Sequence, residues 1–333
     1  MKPKSQQQKP EAAQVRTPPE TEPGAGRGFT HVPVMMREVL EALRPADGRI
    51  YLDGTLGGGG HARAILEASS PGGFLYGCDR DEAAIRAASE RLAPYSGRFE
   101  LRQGVFEQVD WVPEEACAGI LLDLGVSSHQ LDTPGRGFSF MADGPLDMRM
   151  NPREGITAAE ILNSWPEGEL ARLFWEYGDE RAARRIARRI VEERQMSPMT
   201  TTGQLAALIE RVEPRRGRPK HPATQSFQAL RIATNDELGI LRRGLETLWT
   251  RLARGGRFAI ITFHSLEDRV VKEYFRALVR DYDIPGPVDR ADLRVPRAPY
   301  ALAVTRKALR ASEEETAANP RARSAQLRVV EKC

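Results

Sequence analysis

Four consecutive glycines, Gly57 to Gly60, stand in the run Asp53-Gly54-Thr55-Leu56-Gly57-Gly58-Gly59-Gly60-His61, where an apolar strand pattern over 49–53 gives way to a helical pattern over 61–68. A turn without Cβ atoms lets a ligand approach the backbone, and the helix that follows turns its N-terminus toward that ligand. The junction commits the chain to alternating strands and helices. The residues beyond it agree: strand 74–79, helix 81–92, strand 99–102 and strand 118–123 form a βαβ succession, which requires a parallel sheet covered by helices.

After Asp123 the rhythm changes. A stretch broken by glycine and proline reaches about residue 152, and helical segments follow near 168–177, 180–193 and 203–212. The α/β signature resumes with a helix over 236–253, a stop at Gly255-Gly256, a strand over 257–263 and a helix over 266–279, with further strands at 300–305 and 326–330. The expectation is an α/β, Rossmann-like sheet carrying an inserted all-helical domain. Its parts are a disordered tail over 1–28, sheet domain over 29–129, helical insertion over 130–235 and sheet domain again over 236–333. The tail assignment rests on its Lys, Gln, Pro, Glu and Gly content.

Composition narrows the class. No apolar run approaches the ~20 residues of a membrane span. A net charge of +3 is too small to identify a nucleic-acid binder, so any basic face must be local. Cys78, Cys117 and Cys333 form no CxxC pair, which argues against a disulfide framework or zinc site and fits a reducing cytoplasm without a structural metal.

Two ligands compete for the glycine turn. Gly57, Gly59 and Ala62 match the G-x-G-x-x-A pattern of dinucleotide sites, but Asp53 immediately before the loop would repel a pyrophosphate. The ammonium and sulfonium of S-adenosylmethionine would instead be stabilised there. Asp79 closes the second strand, where an acid can accept ribose hydroxyls of either cofactor. Asp123 follows the apolar Ile120-Leu121-Leu122 at the ligand-binding edge, although a strand-end Asp can also simply cap its own loop.

Further motifs make the sequence specific. They are His129-Gln130-Leu131-Asp132, Arg136-Gly137-Phe138-Ser139-Phe140, Asp143-Gly144-Pro145-Leu146-Asp147-Met148-Arg149-Met150, Phe227-Gln228-Ala229-Leu230-Arg231-Ile232, Phe263-His264-Ser265-Leu266-Glu267-Asp268-Arg269 and Asn319-Pro320-Arg321-Ala322-Arg323-Ser324. In this order, and together with 53–61, they resemble the bacterial ribosomal small subunit methyltransferase H family over about 30–330. Two departures are Gln225, where the family is usually basic, and Asn151, where Asp is common. The resemblance implies a class I S-adenosylmethionine-dependent enzyme that methylates N4 of a cytidine in the decoding region of small-subunit ribosomal RNA. Free RNA or the small ribosomal subunit would be its partner, and the cytoplasm its location. It further implies Gly59, Gly60 and His61 at the methionine end of the donor, Asp79 on the ribose, and Phe106, Asp123 and Gln130 around the adenosine. Asp53 joins these from the charge argument.

The chemistry agrees in part. Carbon methylation of cytosine needs a nucleophile, and neither Cys78 nor Cys117 is placed to attack. An exocyclic amine can attack a donor methyl directly when nearby acceptors handle its proton, which makes Asp123 the catalytic candidate. The loop 136–150 could close over an extruded base or be a rigid loop filled by its own side chains. Ser265 and Asp268 have capping-box spacing, leaving His264 a structural reading. For RNA docking, Arg181, Arg185 and Arg189 recur every four residues, and Arg216 and Arg218 lie in a basic loop. Arg185, Arg189, Arg216 and Arg218 are therefore the expected RNA contacts, against the alternative of a solvated face balanced by acids. Two other classes stay open: a nicotinamide-dependent oxidoreductase and a non-enzymatic RNA-binding assembly factor.

Overall fold

The computed structural model describes residues 33–214 and 221–333; the expected tail over 1–28 lies outside them. In chain order the elements are α1 (Met36–Leu43), β1 (Ile50–Asp53), α2 (Gly60–Ala68), β2 (Phe74–Asp79), α3 (Glu82–Leu92), β3 (Phe99–Gln103), β4 (Cys117–Asp123), α4 (Ser128–Asp132) and α5 (Ala158–Ser164). There follow α6 (Glu167–Gly178), α7 (Ala183–Arg194), α8 (Thr202–Val212), α9 (Ala223–Asn235), α10 (Glu237–Arg251), β5 (Leu252–Thr262) and α11 (Ser265–Val279). A small ribbon of β6 (Tyr282–Asp283) and β7 (Val295–Pro296) precedes β8 (Ala301–Ala303), β9 (Leu309–Arg310), α12 (Glu313–Ala318) and β10 (Gln326–Lys332).

The main sheet runs β3-β2-β1-β4-β5-β10-β8, parallel from β3 to β5 and antiparallel beyond, with β9 also on β10. Strand order reverses between β1 and β4, and open α/β sheets bind ligands at the carboxyl ends of the strands on either side of such a reversal. Both faces are covered, which explains why the strands read as apolar runs rather than alternations. Leu121, Ala259 and Ile261 point into one core with α1, α2 and α3, while Ile120, Leu122, Phe258 and Ile260 point into a second with α10 and α11. A third core has its buried residues, among those described, between Phe138 and Leu230, including Phe174, Ile186 and Ile190, with Val126, Leu131 and Ala233 packed against it.

The expected stop at Gly255-Gly256 is instead an irregularity inside β5. The pairing Cys117↔Leu252 jumps to Gly119↔Arg257, and Gly255 takes φ +74. A Cβ on Gly256 would meet the Cys117 carbonyl at 2.8 Å, so a close backbone approach selects the second glycine. Helix α7 starts later than expected, because the Glu180 carboxylate accepts the Ala182 amide ahead of it. Helix α9 was not legible: its Pro222 entry, Thr224 and Thr234 blur a face on which Phe227, Leu230 and Ile232 are buried.

Candidate active site

β2, β1 and β4 are neighbours in the sheet, and each ends in an acid: Asp79, Asp53 and Asp123. The turn after β1 is stitched to both flanking strands, with the Gly54 amide donating to Leu121 O at 3.0 Å and the Leu56 amide to Cys78 O at 3.0 Å. Asp53 is 1% exposed and accepts the Thr55 amide at 3.1 Å. Asp79 accepts the Gly57 amide at 2.8 Å and the Asp81 amide at 2.9 Å. Asp123 donates its own amide to Thr55 Oγ1 at 2.6 Å, and its Oδ2 stands 3.7 Å from His61 Nε2. Its Oδ1 is buried with no hydrogen-bond partner among the described residues.

These carboxyls strain one another. Burial pushes Asp53 up to about 7, opposed by the Thr55 amide and reinforced by Asp79. Burial pushes Asp79 up to about 6, against two backbone amides. Asp123 is driven well above the ordinary carboxylate range by burial and then by the charges of Asp53 and Glu267. A site of three such acids stabilises a cationic ligand and disfavours a polyphosphate. The residues therefore fit the ammonium and sulfonium of S-adenosylmethionine, and Asp123 Oδ1 is an acceptor left for a ligand donor.

The glycines divide their work in a way the sequence did not reveal. Gly57 (φ +51) has open space where a Cβ would be, so a ligand can approach there. A Cβ on Gly59 (φ +72) would instead meet Ala88 of α3 at 3.1 Å, and one on Gly60 would meet Pro33 at 2.3 Å. These two serve helix packing on their Cβ side. Gly59, expected at the methionine end of the donor, thus has its Cβ direction turned away toward α3, and a side chain there would press on that helix. His61 lies one residue inside α2 and is 6% exposed, with its imidazole turned toward Asp123. Its side chain, and not only its amide, therefore faces the site. The Phe106 ring is wedged between Gly54 and Gly244 of α10, lying 2.4 Å from where a Gly244 Cβ would sit. Gln130 is 4% exposed, and its amide is already engaged: Oε1 accepts the Ser127 amide, and Nε2 donates to Asp81 Oδ2 at 3.1 Å.

On the acceptor side, the loop 136–150 is filled by its own side chains. Phe138, Met148 and Met150 are buried in the third core, and Phe140 packs edge-on against Phe227, so only Met141 among these apolar residues stands exposed. The base-closing reading of these side chains is corrected on that ground. The cap of α11 also differs from expectation. It is His264, not Ser265: Nδ1 accepts the Glu267 amide, and the Glu267 carboxylate accepts the His264 and Phe263 amides. His264 Nε2 stands 3.0 Å from Glu267 Oε1. Burial raises the Glu267 carboxyl, but His264 and Arg231 more than offset this and hold it below its usual range. Glu237, His264 and Glu267 each bring a ligand-type atom within 4.8 Å of the others, and Arg231 supplies the cation there by gripping Glu237 at 2.7 and 2.8 Å. The sequence signal for this group was the acid three residues after His264, read one position out of register.

Of the expected RNA contacts, Arg185 pairs with Glu213 at 2.8 Å, and Arg189 pairs with Glu192 at 3.2 Å and Glu193 at 2.8 Å. That face carries its own counter-charges. Arg216 and Arg218 lie outside the described residues. Gln225 is exposed on α9.

The chain matches the family model described as the MraW methylase family over residues 28–333. It is 52% identical over 308 residues to the Ribosomal RNA small subunit methyltransferase H of Syntrophotalea carbinolica, covering 91% of this chain and 98% of that one. It is 50% identical to the proteins of the same name from Geotalea uraniireducens and Symbiobacterium thermophilum, covering 91% of this chain and 99% and 97% of theirs.

Proposed function

The chain belongs to the MraW methylase family, and from that premise we propose that it transfers a methyl group from S-adenosylmethionine to the exocyclic N4 amine of a cytidine in the decoding region of small-subunit ribosomal RNA. S-adenosylmethionine is the cofactor, and it supplies, when bound, an electrophilic methyl on a positively charged sulfur. The observation that carries the reading is the row of three strand-end carboxyls, Asp53 buried and Asp79 and Asp123 half-buried, with Asp123 Oδ1 buried and left without a partner among the described residues.

Asp53 supplies negative charge under the glycine turn. Asp79 takes the ribose, with Gly57 and His61 on the methionine side and Phe106 backing the adenosine. Gln130 acts on this pocket through Asp81. Asp123 accepts an N–H of the target amine, which turns the nitrogen lone pair outward, and takes up that proton once the methylated nitrogen has become cationic. His61 Nε2 faces that carboxylate at 3.7 Å. The segment 130–235 serves as the RNA-docking insertion. Its arginines at 185 and 189 are themselves exposed and can exchange their acid partners for phosphates, since surface pairs contribute only about 0–1 kcal/mol.

The test is transfer of label from methyl-tritiated S-adenosylmethionine to small subunits, large subunits and free small-subunit RNA. Incorporation confined to the small subunit or its RNA supports the reading. Equal labelling of large subunits, or none anywhere, overturns it.

A further inference from the structure

The acid assigned to the donor ribose sits in a short turn, Asp79-Arg80-Asp81, which the sequence presents as an ordinary strand-to-helix link. The structure braces this turn from outside the sheet at two points. Arg136, from the segment leading into the third core, donates through Nη1 to Asp81 Oδ2 at 2.7 Å and through Nη2 to the carbonyls of Arg149 and Met150 at 3.1 and 2.8 Å. Arg80 donates to the Asn235 carbonyl at 2.9 Å, and the Asn235 side chain takes the Met150 amide and gives to Met148 O, both at 2.8 Å. Met148 is fully buried with φ +61, a left-handed conformation that a methionine holds only when its surroundings impose it. Here Asn235 and the Arg136 carbonyl, which accepts the Met148 amide at 3.1 Å, impose it.

From Asp81 the path continues inward. Its Oδ1 caps α3 through the Ala83 amide, its own amide donates to Asp79 Oδ1, and Asp79 Oδ2 holds the Gly57 amide of the glycine turn. Hydrogen bonds thus run without a break from the backbone at 149–150, through Arg136, Asp81 and Asp79, to the loop expected to receive the donor. We propose that Arg136 is a positioning residue that couples donor binding to engagement of the helical segment by RNA, so that each ligand tightens the other. The proposal rests on the donor and RNA assignments made above. Its physical basis is a shared constraint: a ligand that fixes the 136–150 segment also fixes the Asp79 carboxylate, and the ligand bound second has less ordering left to impose.

The experiment is a binding cycle. The dissociation constant of S-adenosylhomocysteine, which cannot react, is measured by equilibrium dialysis with and without undermethylated small subunits. Wild type, Arg136→Lys and Arg194→Lys are compared. Lysine keeps the charge but cannot span Asp81 and two carbonyls. Arg194 also grips two carbonyls, Leu162 and Trp165, but wholly within the helical segment, so it controls for lost stability. Wild type and Arg194→Lys should show tighter binding with subunits, by the roughly 5- to 150-fold usual for coupled sites, and Arg136→Lys should bring that ratio close to one. If Arg136→Lys shows no cooperative melt, Asp81→Asn takes its place: it retains an Oδ1 to cap α3 but offers an amide where Arg136 needs an acceptor. A wild-type ratio of one, or an undiminished ratio in the folded variant, overturns the coupling. If wild type methylates the subunits in the same preparation, such a result spares the functional reading; if it does not, that reading falls and the coupling with it.

Discussion

Replacing Asp53 by Asn isolates the electrostatic part of the site, because Asn fills the same space and its Oδ1 can still accept the Thr55 amide. Asp53 is fully buried, and its carboxyl is pushed from 3.8 to about 7, chiefly by burial. A shift of about 3 units corresponds to ~4 kcal/mol. Because the folded pKa lies above the unfolded one, the native state holds the proton more tightly. The contribution is therefore fully present below about pH 4 and is lost as pH rises through about 7, with roughly 2 to 3 kcal/mol of the loss falling between pH 5 and pH 8. Urea unfolding of the donor-free protein at those two pH values should show wild type losing that much more stability than Asp53→Asn. Donor binding should respond in the opposite sense. A cationic ligand favours the ionised acid, so wild-type affinity should rise roughly tenfold or more from pH 5 to pH 7, whereas the variant should bind weakly with a flatter profile. Equal pH dependence of stability in both proteins, or donor affinity independent of pH in wild type, would refute the claim that buried acids create the cation site.

Three further outcomes follow from the same geometry. Asp123→Asn should leave the protein folded, since a half-buried carboxylate repelled by Asp53 and Glu267 is removed, yet lower single-turnover methylation by ~10²-fold or more; a near-normal rate with substrate bound would remove Asp123 from the chemistry. Gly59→Val should destabilise the fold by at least ~1 to 3 kcal/mol through its positive φ and its pressure on Ala88, visible as a lowered Tm without ligand; an unchanged melt would contradict the packing role. Neutralising Arg185, Arg189, Arg216 and Arg218 together should leave donor affinity intact while weakening subunit binding and flattening its salt dependence, and an unaltered salt slope would move RNA docking to another surface.

The central parallel strands β1, β2 and β4 were legible because each is short, largely apolar and ends at an acid. The pattern located 74–79 with the bounds the structure gives, and found 326–330 within a slightly longer β10. Asp53, Asp79 and Asp123 were legible as strand-end acids, and adjacency of their strands in the sheet brings them together. Contacts between distant segments were not. Nothing near Gly59 in the sequence announces Ala88, and nothing near Asp81 announces Arg136, 55 residues away. Met and Phe residues in the 136–150 loop have the composition of a base-binding lid, and only the third core, assembled from later helices, shows that most of them are spent on packing. The arginines of α7 project from one helix at regular spacing, but their acid partners come partly from the end of another helix, which spacing along α7 does not reveal.

The central claim is the identity of the methylated atom. Small subunits lacking the modification, treated with the protein and deuterated-methyl S-adenosylmethionine, can be digested to nucleosides and to mapped fragments for mass spectrometry. The account predicts one labelled product, N4-methylcytidine, in a single fragment of the decoding region, lost in Asp123→Asn. Label in C5-methylcytidine, in a ribose methyl or in a fragment outside the decoding region would contradict it.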